Sequence, residues 1–246
     1  MDLILPWTEY NNFEQFGPWH LLAIGLLLIA VVALVLLANS LRANRIIERR
    51  VRLTLIAIML AAQTYYYVWN FVFASDRLAQ NIIPAHMCSA ILVPLIWYAI
   101  KPNQYVYEVY FFWGTLGGGA AMLFPFTEGF DWPHTRVIQT VFVHALFFLM
   151  AIYFTVVDQY KMTKFSVLRA YVWTAILAGI AFVVNQFTGA NYMFLGNPPA
   201  GTTTPLDLFP QNSFKYPLLL LVLLAVYFLI FGIWKLCTWR RVYPKT

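Results

Sequence analysis

One cysteine and one histidine carry the chemical lead in this chain. Cys88 lies in NIIPAHMCSAILVP and His144 in HTRVIQTVFVHALF, on two separate apolar stretches. A thiol becomes a nucleophile when a base takes its proton, and an imidazole is the usual base. Pro84 suits the first turn of a helix, which sets Cys88 near the positive end of a helix dipole. Thiolate character rises there, and an apolar setting opposes it. His86 is the poorer base, because two residues along a helix is about 200° of rotation. The bland alternatives stand beside this reading: a buried cysteine that packs as a small hydrophobe, and a histidine that only bridges two helices.

These residues must be positioned by membrane helices. The chain has 246 residues, 61% hydrophobic and only 11% charged. A span needs roughly 20 mostly apolar residues. Seven stretches qualify: 18–41, 52–74, 83–100, 104–124, 136–157, 166–188 and 216–236, the third interrupted by Pro84 and Pro94. The expected fold is all-α, one seven-helix transmembrane domain over residues 1–246. Nothing at the N-terminus reads as a secretory signal, and residues 1–16 are expected along the membrane interface.

Charge sets the expected orientation. Five arginines fall in 42–52, followed by Lys101, Lys161, Lys164, Arg169, Lys235, Arg240, Arg241 and Lys245. The opposite face keeps Arg77, Arg136 and Lys215. The positive-inside rule then puts the N-terminus outside and the C-terminus in the cytoplasm. The net charge of +6 belongs to this asymmetry and gives no reason to expect a nucleic acid partner. Cys88 and Cys237 fall at different depths and cannot bridge.

On this topology the polar residues gather toward the outer end. His20 opens the first span, Cys88 lies ~9 Å into the third and His144 ~12 Å into the fifth. Asn70, Asn185 and Gln186 are late in inward-to-outward helices, with Gln63 nearer the middle. Glu108 and Asp158 mark the inner boundary, where acids are ordinarily solvated. No acid sits mid-membrane, against a proton relay, and no lysine sits mid-helix in the seventh span, against a retinal Schiff base. GTLGGGAAM (114–122) lacks the residues of a phosphate loop and reads as close helix packing. The outer loops 124–136 and 189–215, the latter holding Asn191, are connectors or lids.

FGPWHLLAIGL, IPAHMC, VYFFWGTLGGGAAMLFP, HTRVIQTVFVHALFFLMAIY and NYMFLGNPP occur in this order. Together they resemble the YwaF-type bacterial membrane proteins grouped with transmembrane protein 164, an acyltransferase of ether-lipid metabolism. The resemblance runs from about Phe16 to Ile230. It implies that Cys88 is an acyl-accepting nucleophile and His144 its proton shuttle. It further implies that an acyl chain moves between phospholipid and lysophospholipid. Two departures stand out: Ala85 and Met87 replace the usual leucines, and FPQNSFKYP replaces an aromatic stretch before the last helix.

The expected activity is therefore a membrane lipid acyltransferase in the cell membrane, with Cys88 and His144 catalytic. Asn70, Asn185, Asn191, His86 and His20 are candidates for substrate or oxyanion contacts. Phospholipid and lysophospholipid are the partners. No metal, organic cofactor or protein partner is expected. Ester hydrolysis at the same site, or a non-enzymatic carrier or sensor, are the alternatives.

Overall fold

Asn44 is the sole residue between the first two helices, α1 (Pro18–Ala43) and α2 (Arg45–Phe73). Its side chain accepts from the backbone of Ile46 and Ile47, both at 3.1 Å. That cap lets the arginine-rich segment 42–52 be helical, where a loop is expected from its charge. A Glu48–Arg52 pair at 2.9 Å supports the same turn.

This computed structural model describes residues 13–127, 129–196, 209, 210, 212 and 214–242. The expectations for residues 1–12 and for most of 189–215 fall outside them. The remaining long helices are α3 (Met87–Ile100) and α4 (104–123), a run of Gln104–Phe112, a π-helical turn Trp113–Gly118 and Gly119–Leu123. They are followed by α5 (Thr135–Val156), α6 (Lys164–Thr188) and α7 (Lys215–Val242). Every described element is helical.

Five of these helices are long and apolar enough to cross a membrane: α1, α2, α5, α6 and α7. This is a multi-pass membrane protein. Leu21, Leu22, Leu26, Leu28, Ile29 and Leu36 of α1 are all more than half exposed, a surface that water would not tolerate at this density. Two of the seven expected spans do not meet the same standard. The third is shortened because Pro84 lies in a bend ahead of the helix. The 14 residues of α3 reach only ~21 Å, against a hydrocarbon core of ~30 Å. The fourth is helical throughout but broken in its regular hydrogen bonding by the π turn.

The chain forms two compact units, Met1–Tyr160 and Lys161–Thr246. In the first, α4 packs on α5 through glycines. A Cβ at Gly114 would stand 2.7 Å from the Phe147 carbonyl, and one at Gly118 2.8 Å from the His144 carbonyl. Only glycine permits that approach, so the expected packing role of GTLGGGAAM holds for these two positions. Around them is a core of fully buried aromatics, among them Tyr98, Tyr110 and Phe154, with Tyr98 and Phe154 centroids 4.1 Å apart. In the second unit, a Thr163–Ser166 capping box opens α6 and Gly189 (φ 67°) closes it. Thr174 Oγ1 and Tyr227 Oη share a buried hydrogen bond of 2.7 Å between α6 and α7.

Candidate lipid-ester site

Cys88 is the second residue of α3, not the sixth residue of a longer helix as its surroundings predict. The helix starts at Met87, and His86 is its extended N-cap (φ −82°, ψ 148°). His86 is thus outside the helix, and helical rotation does not turn it away from Cys88 as expected. His86 instead lies within electrostatic reach of His144. Cys88 is a free, partly buried cysteine.

His144 projects from the middle of α5. Its Nδ1 is 2.6 Å from the Thr140 carbonyl oxygen, one turn earlier. A carbonyl only accepts, so Nδ1 carries the proton and Nε2 keeps its lone pair. That is the tautomer a general base requires. Phe147 stands edge-on to the ring at 5.8 Å, and Arg136 lies within electrostatic reach. The Arg136 guanidinium is itself buried, over the ring of Tyr66 at 4.3 Å and bonded to Gln139.

The π turn of α4 touches both residues. Beside Gly117, an added Cβ would stand 3.6 Å from Cys88 Sγ and 3.6 Å from Met87 Sδ. Beside Gly118 is the backbone of His144 and Phe148. Such turns widen a helix locally and recur at functional sites. The sequence shows the glycines, but the wide turn that serves two neighbours with consecutive glycines has no period to read.

The other candidates are held by backbone. His20 accepts from the Phe16 N–H at 2.9 Å and donates through Nε2 to the Met122 carbonyl at 2.7 Å. Both ring nitrogens are occupied, so His20 ties the start of α1 to the end of α4. Asn70 donates to the Tyr66 carbonyl at 2.9 Å and accepts from Asn81 at 2.6 Å. In the second unit, Asn185 clamps Tyr192 with two bonds, donating to its carbonyl at 3.0 Å and accepting from its N–H at 2.8 Å. Asn191 accepts from the Gly196 N–H at 2.9 Å. Each does the work of a turn or cap.

Sequence reasoning missed Thr140, whose contribution is a main-chain carbonyl, and Arg136, whose position beside aromatic rings hides its burial. It also read Glu108 and Asp158 as solvated. Glu108 is only 4% exposed and takes a hydrogen bond from Gln104 at 3.0 Å, while Asp158 bonds Tyr98.

The profile of the TMEM164 family matches residues 15–235. The chain belongs to the TMEM164 family. No curated protein and no solved structure matches it. The matched span takes in Cys88, the glycine-rich π turn and His144.

Proposed function

We propose that this member of the TMEM164 family is a lipid acyltransferase of the cell membrane. In this reading it moves an acyl chain from a phospholipid to a lysophospholipid through a thioester on Cys88. The observation that supports it most is the shared contact of Cys88 and the His144 backbone with consecutive glycines of one π turn. The second support is the His144 tautomer, with Nε2 left to accept a proton.

In the proposed reaction, Cys88 gives its thiol proton to His144 Nε2 and attacks the ester carbonyl. The first backbone N–H groups of the helix that begins at Met87 serve as donors for the developing oxyanion in this reading. The C–O bond breaks, and the departing lysophospholipid alkoxide takes the proton from His144. An acceptor lysophospholipid then gives its hydroxyl proton to His144 and attacks the thioester. Acyl transfer restores the thiol. Water in the acceptor's place gives hydrolysis by the same steps. The residues need no metal or organic cofactor for this sequence.

We propose further that the chain crosses the membrane seven times, with residues 42–52 at the cytoplasmic face. Impermeant thiol labelling of introduced cysteines tests this. Labelling at 42–52 from outside intact cells would overturn it.

The test of activity uses purified protein in lipid, an acyl-labelled phospholipid and an unlabelled lysophospholipid. Transferred label and a hydroxylamine-sensitive acyl adduct on Cys88 are expected. Absence of turnover over a broad lipid panel, with a ligand retained instead, would favour a carrier or sensor.

A further inference from the structure

The arginines of residues 42–52 do more than mark one side of a membrane. With the residues after α5, they line a cavity of about 1000 Å³ within the first unit. Among the described residues, Arg42, Arg45, Arg49, Arg50 and Arg52 face two carboxylates there, Glu48 and Asp158. Exposed arginines at a helix start would need no explanation, but Arg52 is only 9% exposed. Its Nε is held by Glu48 at 2.9 Å. Its guanidinium lies 5.5 Å from the Tyr98 ring centroid. Its Nη1 is buried and makes no hydrogen bond to any described residue. A buried cationic donor left without an acceptor is costly unless a ligand supplies one.

The carboxylates are already committed. Tyr153 Oη donates to Glu48 Oε1 at 2.8 Å, and Tyr98 Oη donates to Asp158. Burial pushes the Asp158 carboxyl up to about 6, against the pull of Tyr98 and Arg52. The local balance therefore favours an incoming anion over further use of these two acids. Arg42 is braced as well, with Nη1 on the Val156 carbonyl at 2.6 Å and Nη2 on Asn39. A guanidinium with fixed planes suits the oxygens of a phosphate group.

We infer that this cavity is a binding site for a phosphate-bearing anion, held by Arg52 with Arg42, Arg45 and Arg49. The phosphate can belong to an acidic phospholipid headgroup or to a soluble compound. The site stands apart from Cys88 and does not depend on the acyl-transfer reading.

The test places the full chain in phosphatidylcholine nanodiscs, with and without phosphatidylglycerol. Inorganic phosphate is titrated separately into the phosphatidylcholine discs. Retained phosphatidylglycerol is counted by native mass spectrometry, and thermal unfolding is followed in parallel. Stabilisation by phosphatidylglycerol alone identifies a headgroup, and stabilisation by inorganic phosphate identifies a soluble ligand. Arg45→Gln and Arg49→Gln alter exposed side chains and leave the Arg52–Glu48 pair intact. Each should weaken binding by ~10-fold, the usual weight of one charged hydrogen bond. Arg52→Gln should weaken it more, and Arg77→Gln, outside the cavity, should not weaken it. Equal loss from Arg77→Gln, or no response to either anion, would overturn the site.

Discussion

Gly117 and Gly118 are consecutive in the chain, yet one faces the Cys88 sulfur and the other the backbone of His144. Successive helical positions point about 100° apart, so adjacent glycines can serve two different neighbours. The two positions have different tolerances. An alanine Cβ at Gly117 would stand 3.6 Å from Cys88 Sγ, an ordinary contact. At Gly118 it would stand 2.8 Å from the His144 carbonyl and 2.9 Å from the Phe148 nitrogen, which requires α4 and α5 to separate. Gly118→Ala is expected to cost about 1–3 kcal/mol, less any gain in helix propensity. Gly117→Ala should fold normally and reduce acyl transfer by crowding the sulfur. Melting temperature and turnover of the two variants check this, and the reverse order would refute it.

Cys88→Ala should abolish the acyl adduct and transfer while preserving the fold, because one small thiol contributes little packing. Cys88→Ser should be severely impaired, a hydroxyl being far less ionised than a thiol. His144→Ala should lower turnover ~10²–10⁴-fold, the usual share of a proton shuttle. Unchanged activity in Cys88→Ala would remove the nucleophile assignment.

The bond that sets the His144 tautomer uses the main chain of Thr140, not its hydroxyl. Thr140→Val keeps that carbonyl and should leave turnover and its pH profile unchanged. His144→Asn can reproduce the donor to the carbonyl but offers no basic nitrogen, and should be as inactive as His144→Ala. Rescue of turnover by asparagine would show that His144 only positions another group.

His20 serves stability. It satisfies the Phe16 N–H and the Met122 carbonyl in a nearly water-free setting, at 3% exposure. His20→Leu should cost about 1–3 kcal/mol for buried groups left unpaired. Thermal unfolding in detergent measures it. An unaltered unfolding temperature would show that water replaces the ring without loss.

Much of this was legible from apolar runs. Five expected spans appear as helices of spanning length, and the family follows from motifs distributed along the chain. Local geometry was not legible. Pro84 has the chemistry of a helix start, but the chain bends there and the helix begins three residues later, which places Cys88 in the first turn and His86 outside helical geometry. The outer asparagines looked like a polar cluster because sequence shows side-chain type without its partner. Each proves to bind nearby backbone. In the sequence the arginines of 42–52 are one undifferentiated charge, since only packing distinguishes buried Arg52 from exposed Arg45 and Arg49.

The basic cavity should respond to pH through Asp158. Tyr98 from α3, Glu48 and Arg52 from α2, Tyr153 from α5 and its near neighbour Tyr160 act on its carboxyl. The folded value of about 6 is above the ordinary 3.8, so folding favours the protonated acid. Its contribution to stability is then complete below the ordinary value and is lost as pH rises through about 6. Anion binding follows the same direction. Protonation removes a negative charge from the cavity, and an anion of fixed charge binds more tightly as pH falls through about 6. Phosphatidylglycerol suits the measurement because its phosphodiester keeps one charge across this range. Its retention should rise between pH 7.5 and pH 5.5 in the unmodified chain. Asp158→Asn should retain it strongly at both values, with the pH response flattened. A response that persists unchanged in Asp158→Asn would assign the titration to another group and remove Asp158 from control of the site.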